Sequence, residues 1–536
     1  MIWFLRDIDL FTVLLRAAVL AFEALLLGGI AFLLVAVIPA RASATVENVC
    51  LRGIRMAAVG LFLCEAALLL ASGALLLSGS DLTLRDVTTT NFFRAYTFAM
   101  LSAIALWICA RLKSSAAKVA MLPLGVVLLA AAVSNSHAAA RMDHRVLLGI
   151  VTAAHHLGTA AWIGAMPYLW ISLGRAAGVD EAQRLTQRYS RMALVGASML
   201  VLAGVIMAKF YVETWTGLYT TAYGVMLMAK IYLLVAIVVL GAGNWYVVQR
   251  LATDPQPLLA RLRRVAEAEI CFGFLAILTA ASLTAQAPAV DTPADETLTA
   301  HEIYVRMHPE PPRMSSPPVA ALAPPSSMEV AVKDAQFVPS VGSDDTDKKW
   351  SEYNHHWAGL IVLIAGVLAL LSRNRYMRWA RFWPLTFAGL AVFIILRADP
   401  ENWPLGPRPF WESFASPDVL QHRFGALLIV VFAAFECAVQ AGKLRARWAT
   451  YVFPAMCALG AALLLTHEHS ATDVKLALLA EMSHTPIALL GVTAGCSRWI
   501  ELRVPEKNRM TTIAGYLWPV CLTLVGVILL NYRELP

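Results

Sequence analysis

Charge is scarce in this chain of 536 residues: 15% are Asp, Glu, Lys or Arg, while 59% are hydrophobic. That balance excludes a water-soluble enzyme folded around one apolar core and leaves a polytopic membrane protein. The eight cysteines (Cys50, Cys64, Cys109, Cys271, Cys437, Cys457, Cys496 and Cys521) include no Cys-x-x-Cys pair, which argues against a disulfide framework and against a thiolate zinc site. Walker A, His-Glu-x-x-His and Gly-x-Ser-x-Gly sequences are also missing. Nothing therefore supports ATP-driven pumping or hydrolysis, and the chain is read as a non-enzyme. No basic n-region with a small-residue cleavage site opens the sequence, so its first apolar run is expected to be a retained helix. The formal net charge of +7 comes from basic residues in short loops, where they orient helices. It implies no nucleic-acid partner.

What is present is a series of apolar runs long enough to cross a hydrocarbon core of about 30 Å. They fall near 10–38, 54–77, 92–110, 119–135, 147–171, 192–210, 223–247 and 266–286, then near 356–372, 382–397, 423–442, 449–466, 484–498 and 511–530. The expected fold is all-α, a transmembrane bundle of about fourteen helices in an eight-plus-six arrangement surrounded by lipid. Residues 1–287 form the first membrane domain and residues 355–536 the second. Between them, residues 288–354 read as an extended linker, since the stretch 287–354 holds ten of the 26 prolines. Within the linker, Met328 to Pro339 has the composition of one strand.

Basic residues set the orientation. Arg41, Arg52 and Arg55, Arg111 to Lys118, Arg175 to Arg191, Arg250 to Arg264, Arg373 to Arg381, Lys443 to Arg447, and Arg498 to Arg509 all cluster on one side of the alternating loops. Positive charge marks the cytoplasmic side, which places both termini in the periplasm. On that topology none of the twelve histidines lies in a cytoplasmic loop; all fall on, or within about two turns of, the outer face. Two readings follow. Histidine either replaces Lys and Arg on the translocated side, or it captures a metal from the outer compartment, neutral imidazole being a common ligand for copper and zinc.

Five fragments in order resemble the CopD family of copper-resistance and copper-uptake proteins of bacterial inner membranes. They are Ser-Asn-Ser-His137-Ala-Ala-Ala; Ala-His155-His156-Leu-Gly-Thr-Ala-Ala-Trp162-Ile-Gly164; Arg188-Tyr189-Ser190-Arg191-Met192-Ala193 with Gly204; Tyr223-Gly224 through Lys230 to Asn244; and Arg263-Arg264 through Glu269 to Leu283-Thr284-Ala-Gln-Ala-Pro288. The resemblance covers residues 120–290 and leaves the last six helices unmatched. It implies an inner-membrane protein that takes copper (Cu+ or Cu2+) from the periplasm, with a CopC-like chaperone as a partner. The family's single histidine, seven residues before the tryptophan, corresponds to His155. Trp162, Tyr223, Lys230 and Glu269 follow as supporting residues.

The residues also carry a reading of their own. His137 closes one helix and His155 opens the next, so antiparallel packing brings both to one membrane level, where two imidazoles can share an ion. His156, His144, Met166, Met199 or Met207 would complete the set; the alternative is imidazoles that anchor the interface through carbonyls. A charged Lys230 repels cations, so it is expected to pair with a carboxylate, cap helix carbonyls or tune the charge of the site. Glu23, Glu65 and Glu269 lie within apolar runs, where a carboxylate receives a cation, carries a proton or pairs with a buried polar group. In the second domain, His355, His356, His422, His467, His469 and His484 stand at helix ends beside Asp399, Glu468, Asp473 and Glu481, a set suited to a second metal site or an entrance funnel. Two rival functions remain at this stage: a membrane redox protein binding haem b between paired histidines, and a copper-delivery assembly factor without transport.

Overall fold

The computed structural model describes residues 8–79, 83–250, 255–317, 344–399, 402–406, 409–411, 417–465, 474–504 and 507–534. The chain divides into two compact units, Met1–Pro293 and Ala294–Pro536. Each is built from long helices, because a lipid environment offers backbone N–H and C=O groups no partner outside the segment itself.

The first unit holds α1 (Ile8–Phe32), α2 (Ala44–Gly79), α3 (Asn91–Leu112), α4 (Ser115–Ser134), α5 (Arg145–Leu173), α6 (Val179–Tyr211), α7 (Ala222–Gln249) and α8 (Pro255–Ala285). Side-chain oxygens of Thr90, Ser114 and Thr221 cap the starts of α3, α4 and α7 by accepting from a free backbone N–H of the first turn. Large apolar side chains such as Met56 (68% exposed) and Leu70 (73%) point away from the bundle. Lipid is the solvent that makes this outward face favourable.

α5 is irregular where it matters. Arg145–Thr159 is α-helical, Ala160–Gly164 forms a π-helical turn, and Met166–Leu173 resumes with Pro167 in its first turn. The widened turn lies against α1 with no side chain between: a methyl on Gly28 would overlap the Ala160 carbonyl oxygen, and one on Gly164 the Ala24 carbonyl oxygen. On the other side, a methyl on Gly158 would come 2.6 Å from the Gly196 oxygen of α6. Small residues let membrane helices approach to backbone contact, and here they clamp α5 between α1 and α6 directly below His155 and His156.

The second unit holds α9 (Asp344–Leu371), α10 (Leu385–Arg397), α11 (Pro417–Gln440), α12 (Val452–Leu465), α13 (Val474–Arg503) and α14 (Arg509–Leu530). Trp383, Phe432, Phe453 and Trp518 form an aromatic centre packed on Ala365, Ala369 and Ala494. The expected fourteen helices are present, but thirteen of them are long and apolar enough to cross a membrane, among the described residues. α13 is the exception. It carries Lys475, Glu481, His484, Arg498, Glu501 and Arg503, and Glu501 is engaged by Arg373, Arg498 and the Trp518 indole N–H. A helix that pairs its polar groups inside its own unit needs less apolar surface.

Part of the Pro-rich stretch is ordered. A helix at Ala300–Met307, opened by a capping box between Thr299 and Glu302, ties into the second unit through Lys475 to Glu302 at 3.2 Å and Arg306 to Ser483 at 3.3 Å. The strand-like segment Met328 to Pro339 lies outside the described residues.

The α1–α5 contact makes a direct prediction. Gly164→Ala forces the two backbones apart and is expected to cost about 1–3 kcal/mol, seen as a lower thermal transition of the purified protein in detergent. Gly243→Ala, where nothing lies within 4 Å, should leave the transition unchanged or raise it. Equal transitions for both variants would contradict the packing described.

Candidate functional site

The clamp on α5 sets a cavity of about 160 Å³ whose walls include His137, His155, His156, Glu23, Lys230, Met207, Tyr211 and Tyr223. His137 begins the short helix His137–Ala140 that follows α4. Its ring is bonded to the Thr284 backbone, and its Nε2 is buried without a hydrogen-bond partner. Burial pushes this imidazole below its ordinary range, and the Thr284 contact offsets part of the shift. His137 is thereby held as neutral imidazole, the form that binds metal.

The adjacent histidines on α5 take different partners. His156 Nδ1 lies 2.9 Å from Glu23 Oε1 of α1, the carboxylate–imidazole arrangement that fixes ring orientation and raises the basicity of the other nitrogen. His155 Nε2 lies 3.3 Å from Lys230 Nζ of α7, and its ring also approaches the Leu200 backbone of α6. Buried ring nitrogens lacking a partner are uncommon and carry a desolvation cost. His137 Nε2, on the cavity wall, is one.

Lys230 thus meets neither a carboxylate nor a helix carbonyl in the described contacts; it approaches the histidine itself. Tyr223 forms part of the wall beside Tyr211, ring centroids 6.4 Å apart. A wider cavity of about 740 Å³ adjoins, sharing His137, His156 and Glu23 and lined further by Arg16, Glu65, Asn91, Tyr96 and Asn135. Trp162 and Glu269 lie elsewhere. The Trp162 carbonyl accepts from the Tyr189 hydroxyl at 2.9 Å, and the Asn244 amide donates to Glu269.

Of the methionines, Met207 lines the histidine cavity, whereas Met166 lines a different one, together with Trp162 and Glu269. His144 has a left-handed backbone (φ 55°) and its ring sits 5.2 Å from Phe210, outside the cavity wall.

In the second unit the histidines do not converge as expected. His356 accepts from the Arg313 N–H through Nδ1 (2.7 Å) and donates to the Tyr532 carbonyl through Nε2 (2.8 Å). Both nitrogens are used, so it is a structural tie between chain segments and has no lone pair left for a metal. His355 stacks on Tyr532 with centroids 3.7 Å apart and stands 5.8 Å from the His484 ring. Each of these two donates Nδ1–H to a helix carbonyl, Ser351 and Ala480 respectively. His422 pairs with Asp399 at 2.9 Å. His467, His469, Glu468 and Asp473 lie outside the described residues. Among the described residues, no group of three or more His, Cys, Asp or Glu side chains is close enough to hold a metal ion. The histidine cavity therefore offers separate nitrogen donors rather than a closed coordination cage.

Residues 183–283, running through α6, α7 and most of α8, match the family model for copper resistance protein D (CopD). The matched stretch lies wholly within the first unit. Over 173 residues the chain is 30% identical to the copper transport protein CutJ of Bacillus subtilis (strain 168); the aligned part is 32% of this chain and spans 30% of that relative's length. No solved structure matches. The CopD stretch supplies Met207, Tyr211, Tyr223 and Lys230 to the cavity, and the three histidines and Glu23 come from α1, α5 and the short helix at His137. Sequence reading named those histidines but not the Glu23–His156 pair. The available signal was a lone carboxylate in the longest apolar run.

Because burial holds His137 neutral, its ring should titrate below 6.5, the ordinary value. The unfolded chain would then take up a proton that the folded protein refuses, so this group's effect is to lower stability as pH falls through that range. NMR of histidine-labelled protein, with the resonance assigned by His137→Asn, checks this; a midpoint above 6.5 would contradict the burial described.

Proposed function

We propose that the first unit carries copper inward across the bacterial plasma membrane, taking it up from the periplasmic face into the His137–His155–His156 cavity. The observation behind this reading is that His137, whose Nε2 is buried without a hydrogen-bond partner, His155 and His156 face one cavity in a bundle whose residues 183–283 match the CopD family model. Imidazole nitrogen suits copper, and Met207 adds a soft thioether on the same wall. An ion bound there would satisfy the orphaned His137 nitrogen.

The site is built to release as well as to bind. Lys230 already occupies one nitrogen of His155, and its positive charge opposes a resident cation. Conduction needs sites favourable enough to fill and weak enough to empty. The polar cavity that shares His137, His156 and Glu23 would be the approach from the periplasm, where a CopC-like chaperone would deliver the ion. No step in this reading requires catalysis.

The haem alternative predicts a Soret band, which the copper reading does not. In the second unit, a further, looser metal contact is proposed at His355 and His484, whose rings stand 5.8 Å apart beside Tyr532.

One set of measurements tests the proposal. Purified wild-type protein should bind copper and show no Soret band, vesicles bearing it should accumulate radiocopper, and His137→Ala/His155→Ala should reduce both binding and uptake at least tenfold. Equal copper in the double variant would remove the assigned site. Binding without uptake would leave a copper-delivery factor.

A further inference from the structure

A second cavity of about 320 Å³ lies along the same helices, with Trp162, Met166, Tyr189, Asn244 and Glu269 on its walls. α5 gives His155 and His156 to the first cavity and Trp162 and Met166 to the second; α6 gives Met207 and then Tyr189; α7 gives Lys230 and then Asn244; α8 gives Ile277 and then Glu269. Residue numbers rise towards the second cavity on α5 and α7 and fall on α6 and α8, so the two cavities follow one another along an antiparallel bundle. Lys230 and Asn244 are fourteen residues apart on one helix, about 21 Å at 1.5 Å per residue, out of a hydrocarbon thickness of about 30 Å.

A narrow boundary divides them. Ile163 and Ile237 line the first cavity, and their neighbours Trp162 and Val238 line the second. The boundary coincides with the π-helical turn Ala160–Gly164, a feature frequent at functional sites. Below it, a Cβ on Gly241 would lie 3.6 Å from both the Trp162 ring and Glu269 Oε2. Indole and carboxylate therefore flank one bare glycine.

The chemistry of the second cavity differs from that of the first. Glu269 is 3% exposed, the Asn244 amide donates to its Oε1, and among the described residues no Lys or Arg lines the space. A carboxylate at membrane depth without a cation on its walls marks an ion pathway. The wall also includes the Met166 thioether, a soft donor that favours Cu+ over harder ions. Once ionised, one carboxylate would balance one positive charge, whereas Cu2+ would leave an uncompensated charge in a largely apolar space.

We infer that this second cavity is a relay site for monovalent copper, in which the Glu269 carboxylate, the Asn244 carbonyl oxygen and the Met166 thioether receive the ion after it passes the Trp162–Ile163 boundary. The inference rests on the transport reading of the histidine cavity and adds to it the oxidation state and the inner acceptor.

The test uses the full chain in vesicles supplied with radiocopper, either kept as Cu+ by ascorbate or given as Cu2+, alongside copper binding in detergent measured against a Cu+ chelator. Glu269→Gln, which keeps size and a hydrogen-bonding oxygen, should cut Cu+ uptake at least tenfold while binding stays within twofold of wild type; Glu269→Asp should restore part of the uptake. Wild-type uptake by Glu269→Gln, or Cu2+ uptake at the Cu+ rate in the wild type, overturns the relay. Should Glu269→Gln fail to fold, Asn244→Ala is read in the same assay with the same two outcomes. Absence of uptake in the wild type overturns the transport reading and the relay with it, a result distinct from uptake that survives loss of the carboxylate.

Discussion

Glu23 and His156 lie 133 positions apart in the chain and meet at 2.9 Å because α1 and α5 touch backbone to backbone at Gly28 and Gly164. A larger residue at either glycine would separate the helices, and the carboxylate would be left in the bundle without its imidazole. An unpaired charge at that depth costs several kcal/mol, so packing and electrostatics here are one constraint. The π-helical turn belongs to the same contact. By widening α5 at Ala160–Gly164 it presents backbone to α1, and it lets the Trp162 carbonyl take a hydrogen bond from Tyr189 of α6.

From this contact the rest of the first unit is ordered outward. With α5 held between α1 and α6, His155 faces α7 and Lys230, His156 faces α1 and Glu23, and one dipeptide links an acid to a base across the bundle. Lipid-facing surfaces of α2 and α6 impose few demands beyond being apolar. Polar selection concentrates on the few positions that touch the cavities.

Much of the architecture is legible from hydropathy, because a bilayer dictates helix length and loop charge with little help from tertiary structure. α13 escaped that logic: it buries Thr485, Cys496 and Ser497 and pairs Glu501 with two arginines inside its own unit, so its apolar signal is the weakest. The histidine cavity was readable in part, since His137, His155 and His156 were grouped from the sequence and all three line it; a common level for them was not, because α5 begins at Arg145 and His155 stands about 15 Å along it. Partner choice was not readable. His155-His156 and His355-His356 are the same dipeptide at similar helix positions, yet His156 meets a carboxylate and His356 ties the Arg313 N–H to the Tyr532 carbonyl. What separates them is residues 133 and 176 positions away, information that no local pattern carries.

The comparison of those two dipeptides bears on how a membrane histidine comes to bind a metal. His356 is fully satisfied by backbone, so a cation would have to break two hydrogen bonds and strand both partners in a buried place. His137 keeps Nε2 buried and unsatisfied, so the folded state already carries the desolvation cost that binding would relieve. Stability alone would favour giving that nitrogen a partner, as it does at His356. Under the proposed function, its remaining open near Lys230, whose charge would oppose a resident cation, suits a group that holds an ion only in passing.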